Sequence, residues 1–95
     1  MIPTKINICG VPHDIRCCPD NFSADSHFGE IDYTHAIIRI NGDMPEPLQM
    51  QTIIHEWLHG ALVALGFNME TANEQFVTAL ASAINQTFAV KEGAE

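Results

Sequence analysis

His55, Glu56 and His59 fall in the order His-Glu-Trp-Leu-His. Residues four apart share one face of an α-helix, so two imidazoles at this spacing can hold one zinc ion, and the glutamate between them can reach a water on that metal. A shuffled chain of this composition yields the pattern only about 2 per cent of the time, which makes chance a poor explanation. The chemistry implied is metal-assisted hydrolysis. The ion lowers the pKa of its water from about 15.7 to about 7 and polarises the scissile carbonyl, while Glu56, as general base, takes a proton during attack and returns it to the leaving group.

A catalytic zinc normally has three protein ligands and an open fourth position, so His55 and His59 need a third partner. Glu74 lies fifteen residues after His59, beyond the turn at 66–70 and near the start of a second amphipathic segment. An antiparallel helical hairpin would bring it back beside the histidines. The competing reading is structural. Thr71-Ala72-Asn73-Glu74 is a capping-box pattern in which Thr71 caps the helix and Glu74 reaches back to its backbone, and on the residues alone the two roles are about even. Glu70 is the substitute ligand, with Asn68 then serving as N-cap, and His13, His27 and His35 are remoter candidates. Tyr33, His35 and Arg39 are candidate donors to an oxyanion, set against the simpler reading of an ordinary polar strand face.

The elements that must position these residues can be read from the pattern. Ile6 and Ile8 alternate with Asn7 and mark a strand that ends in a turn at Val11-Pro12, and residues 15–18 form a second extended stretch. Residues 19–30, rich in Ser, Asp, Asn and Gly, read as a loop. Residues 33–40 are β-branched and aromatic and are closed by Asn41-Gly42, which predicts the best strand of the chain. Pro45 and Pro47 then lead into a helix over about 48–65, with apolar residues at three- and four-residue intervals and Gly66 as its C-terminal cap. A second helix is predicted over about 71–88, with Phe76, Val77, Leu80, Ile84 and Phe88 as its stripe; Trp57 and Leu58 belong to the core or the pocket wall, and the tail from about 90 should fray. The order strand, strand, helix, helix gives an α+β fold, a small sheet packed on two helices.

The 95 residues suit one small domain spanning 1–95, and 46% hydrophobic with 17% charged residues is a globular composition. A formal charge of −8 repels phosphate backbones and anionic membrane surfaces, which argues against nucleic-acid and membrane partners. Neither a secretory signal nor a membrane span is apparent, so a cytoplasmic location is expected. Cys9, Cys17 and Cys18 are odd in number and lack the spacing of a zinc site, and are expected as reduced thiols.

With these residues in place, the chain resembles small zincin-like metallopeptidases, especially the compact gluzincin-type proteins of phages and bacteria. The matching segments are Gly29-Glu30-Ile31-Asp32-Tyr33, Ile38-Arg39-Ile40, Thr52 to Ala61 around the histidines, and Asn73-Glu74-Gln75-Phe76-Val77 leading into Leu80-Ala81. The resemblance implies a minimal zincin-like domain with one zinc ion on His55, His59 and Glu74, Glu56 as catalytic base, and a sheet edge that pairs with an extended peptide. If the chain is phage-encoded, its location is the host cytoplasm. The leading expectation is thus a zinc peptidase whose peptide or protein substrate adds to the strand at 35–40. The alternative is a non-catalytic, zinc-stabilised binding protein, a small phage or host-interaction factor.

Overall fold

The structure, a computed structural model, describes residues 2–18 and 28–93. Four strands, β1 (Lys5–Ile8), β2 (Val11–Cys17), β3 (Gly29–Asp32) and β4 (Ile37–Ile40), form one sheet in the order β1-β2-β4-β3, and three helices follow, α1 (Glu46–Ala64), α2 (Asn68–Ala72) and α3 (Glu74–Thr87). The fold is α+β, as expected. Pairing is antiparallel for β1–β2 and β3–β4 and parallel for β2–β4.

Each strand departs from its expected bounds for a local reason. Cys9 and Gly10 both have positive φ, 48° and 86°, and make a two-residue turn whose twist matches the flanking strands, so β2 begins at Val11 rather than Ile15. Pro12 is tolerated there because pairing with β4 starts only at Asp14, so the proline ring faces no second ladder. The strand expected at 33–40 is half turn. Asp32 accepts hydrogen bonds from the His35 backbone N–H (3.1 Å) and pairs with the His35 ring (2.9 Å), which folds residues 33–36 into a reverse turn and leaves only Ile37–Ile40 extended. The partner of β4 in this hairpin is β3, whose residues Gly29 and Glu30 belong to the predicted loop; residues 19–27 of that loop, His27 included, lie outside the described residues.

α1 packs across one face of the sheet. Ile53 and Ala61 join Ile6, Ile8, Ile15, Ile38 and Ile40 in one buried cluster, while Ile54 and Leu58 join Val77 and Ala81 of α3 in a second; Trp57 and Val90 touch both. Close approach to the sheet runs through Gly60, where a Cβ would lie 2.7 Å from Cδ1 of Ile8 and 2.9 Å from Cδ1 of Ile31. The helix begins at Glu46 behind Pro45 and ends in a Schellman arrangement: Gly66 has φ 85°, its N–H donates to Val63 O, and the Phe67 N–H donates to Leu62 O.

The single helix predicted over 71–88 is two. Asn73, with extended backbone, breaks the chain and caps α3, its Oδ1 accepting from the Phe76 N–H at 3.1 Å. The capping-box role proposed for Thr71 and Glu74 therefore falls away. The inward face of α3 is Val77 and Ala81, whose small side chains allow a close approach to α1, whereas Phe76, Leu80 and Phe88 of the expected stripe are exposed. The tail also differs from expectation. Val90 is packed into the core, the Gly93 N–H donates to Lys5 O at 2.7 Å, and the Glu92 carboxylate accepts from Thr4 N and Oγ1, both at 2.8 Å, so the chain up to residue 93 is tied to the start of β1. Among the described residues no helix is long and apolar enough to cross a membrane.

Gly60→Val would force the γ-methyls of valine into Ile8 and Ile31 and push α1 off the sheet. A loss of about 1–3 kcal/mol of unfolding free energy is expected from denaturant titration.

Candidate metal centre

α1 turns its third sector, between the two buried faces, toward a cleft of about 690 Å3. His55, Glu56 and His59 all line it, with Glu74 arriving from the first turn of α3. His55 Nε2 and His59 Nε2 are 3.2 Å apart. Glu74 spans them, with Oε2 3.2 Å from His55 Nε2 and Oε1 2.7 Å from His59 Nε2. The three ligand atoms lie within 4.8 Å of one another, and this is the metal-competent group found among the described residues. Two imidazole nitrogens bound tetrahedrally to zinc at about 2.0–2.1 Å sit roughly 3.3–3.4 Å apart, so the spacing of the histidine pair fits a shared ion.

The orientation of His59 points the same way. Thr71 Oγ1 lies 2.8 Å from His59 Nδ1 and 3.4 Å from His59 O, so the hydroxyl can donate to the carbonyl while accepting from an Nδ1–H. An Nδ1–H held there leaves Nε2, which faces His55 and Glu74, as the nitrogen available to a metal. Two imidazoles with a carboxylate form a donor set that suits divalent ions.

Glu56 stands behind this group and is buried, its pKa pushed up to about 7 chiefly by burial, then by the negative charges of Glu74 and Glu30. Part of that burial comes from β3. A Cβ on Gly29 would lie 2.6 Å from Thr52 Cγ2, 3.0 Å from Arg39 O and 3.5 Å from Glu56 Cγ, so the absent side chain lets the strand pass directly over the acid. Burial lowers the pKa of His55, with the Glu74 carboxylate acting in the opposite sense, and raises that of Tyr33, where the charge on Glu56 adds to the effect.

The other candidates lie elsewhere. Glu70, in α2, is not part of the group, His13 is buried in β2 with Nδ1 2.9 Å from Val11 O, and His35 is held by Asp32. Of the three suggested oxyanion donors only Tyr33 lines the cleft; Arg39 is turned to Glu30 (3.2 Å) and Asp32 (3.7 Å). Sequence reasoning missed Thr71 as the partner of His59 and Gly29 as the cover of Glu56, and neither carries a spacing signal that would have exposed it. Comparison with protein-family profiles, with curated proteins and with solved structures finds no match for this chain.

Two outcomes are expected here. Thr71→Val removes the hydroxyl partner of His59 Nδ1 and should weaken zinc affinity about 10–100-fold in a competition titration, while Thr71→Ser restores it. In chelator-treated protein the raised pKa of Glu56 means that the folded state holds a proton the unfolded state releases. The associated stability is fully present below about pH 4.5 and is lost as pH rises through about 7. It amounts to something on the order of 3 kcal/mol. Melting curves across that window should fall more steeply for the parent protein than for Glu56→Gln.

Proposed function

We propose that this protein is a zinc-dependent peptidase of the zincin type, acting in the cytoplasm. The observation that carries this reading is the meeting of His55, His59 and Glu74 at one point of a cleft, with the buried carboxyl of Glu56 beside them. A zinc ion held there would acidify water and polarise a carbonyl.

The chain's own residues supply the remaining steps. Glu56, with its pKa near neutrality, is suited both to accept a proton and to give it back to a leaving amine. His55 and His59 are rigidly placed by the buried residues on either side of α1, and Thr71 holds the ring of His59. Substrate cannot pair with the strand at 35–40, because β4 is bonded on both sides, to β2 and β3. The edge beside the cleft is β3, and Gly29, Glu30 and Ile31 line it, so an extended peptide adding to that edge would lie across the metal ligands.

The alternative of a zinc that only staples helices calls for a closed, four-ligand site. Glu74 has 68% of its side chain exposed and the group opens into the cleft, which favours hydrolysis. Zinc-loaded protein should cleave internally quenched peptides, and Glu56→Gln should keep stoichiometric zinc by metal analysis while losing at least about 100-fold in kcat/KM. Equal rates for the two proteins would rule out this mechanism.

A further inference from the structure

The two faces of β3 differ in chemistry, and strand pairing transmits that difference to whatever adds to its edge. Gly29 and Ile31 face α1: the Cβ direction of Gly29 meets Thr52 and Glu56, and Ile31 packs toward Gly60. Glu30 and Asp32 face the opposite side, where both approach the Arg39 guanidinium; Asp32, 24% exposed, also holds the His35 backbone N–H and ring, so Glu30 is the more accessible of the two. On one face of a sheet, residues directly across neighbouring strands interact as pairs, with opposite charges favourable and like charges unfavourable. An added strand therefore meets carboxylates at every second position and, between them, Ile31 and the cleft wall of Phe28, Tyr33 and Leu48.

The rest of the chain sharpens this asymmetry. Its four basic residues are all described, and none lines the cleft. Lys5 and Arg16 pair with Asp14 on the far strands, Arg39 lies inside Glu30 and Asp32, and Lys91 belongs to the tail by β1. The row Arg39, Glu30 ends on a negative charge at the β3 edge, which no described strand pairs, with half of the Glu30 side chain exposed (52%).

We infer that the β3 edge selects extended segments that alternate Lys or Arg with apolar residues, the cations set across from Glu30 and Asp32 and the apolar side chains turned into the metal cleft. This substrate class rests on the peptidase reading above, and separate binding and cleavage measurements keep the two distinguishable. Fluorescent peptides alternating leucine with lysine, glutamine or glutamate are titrated by anisotropy against zinc-loaded Glu56→Gln protein. The lysine series should bind about tenfold more tightly than the glutamate series, with glutamine between them. Raising salt to about 0.5 M should compress the difference, and Glu30→Gln/Asp32→Asn in the same background should erase it. Circular dichroism checks that this variant is folded, and Glu30→Gln alone should give about half the effect on a logarithmic scale.

Equal binding of the lysine and glutamate series, no binding by any series, or a lysine preference that survives intact in the double variant would each overturn the inference; the last would assign the preference to the charge of the whole molecule. Cleavage by parent zinc-loaded protein is scored separately. Selective binding without cleavage would reject the peptidase reading and support edge recognition, and cleavage without selectivity would do the reverse.

Discussion

The double burial of α1 is the constraint from which the rest follows. Ile53 and Ala61 are committed to the sheet, Ile54 and Leu58 to α3, and Trp57 sits where both clusters meet, its Nε1 donating to Asn7 O at 3.0 Å. A helix held on two sides cannot rotate without exposing one of them, and each buried aliphatic side chain contributes about 1.5–3 kcal/mol. The sector left over is narrow, and His55, Glu56 and His59 occupy it. The precision of the group is therefore a property of the core. Gly60, immediately after His59, sets how closely the helix rides on the sheet and hence how near β3 comes to Glu56.

What was legible in the sequence was what depends on local periodicity. The four-residue spacing of the histidines, the apolar intervals of α1 and the glycine stop at Gly66 are all set within one helix, and they appear with small shifts at the ends. What was not legible depends on partners distant in the chain. β3 is only four residues long and its pattern is not distinctive; it becomes a strand because β4 offers it a ladder. The break at Asn73 was hidden because Thr71 and Asn73 are both good caps, and the choice between them falls to Thr71 docking on His59, a tertiary contact. The tail at 90–93 looked featureless because its order comes from an apolar contact of Val90 and a backbone bond to Lys5, more than eighty residues away in sequence.

The same break in the helix decides the role of Glu74. Had the capping box formed, its carboxylate would have been spent on the backbone of Thr71. With Asn73 as cap, the helix start is satisfied by an amide side chain, and Glu74, in the first turn, is released toward the histidines while its charge still lies favourably near the helix N-terminus. One residue of shift thus converts a structural carboxylate into a metal-competent one and frees Thr71 to orient His59.

Burial separates the two glutamates of the site, and the proposed hydrolysis at neutral pH rests on that division. Glu74 is mostly exposed and faces both histidines, whereas Glu56 is covered by β3 through Gly29 and faces the charges of Glu74 and Glu30, so its proton affinity rises to the range where it can work in both directions. The strand that covers Glu56 is also an edge of the sheet among the described residues, so in the proposed reaction the element that raises the proton affinity of Glu56 is the one that would align a peptide.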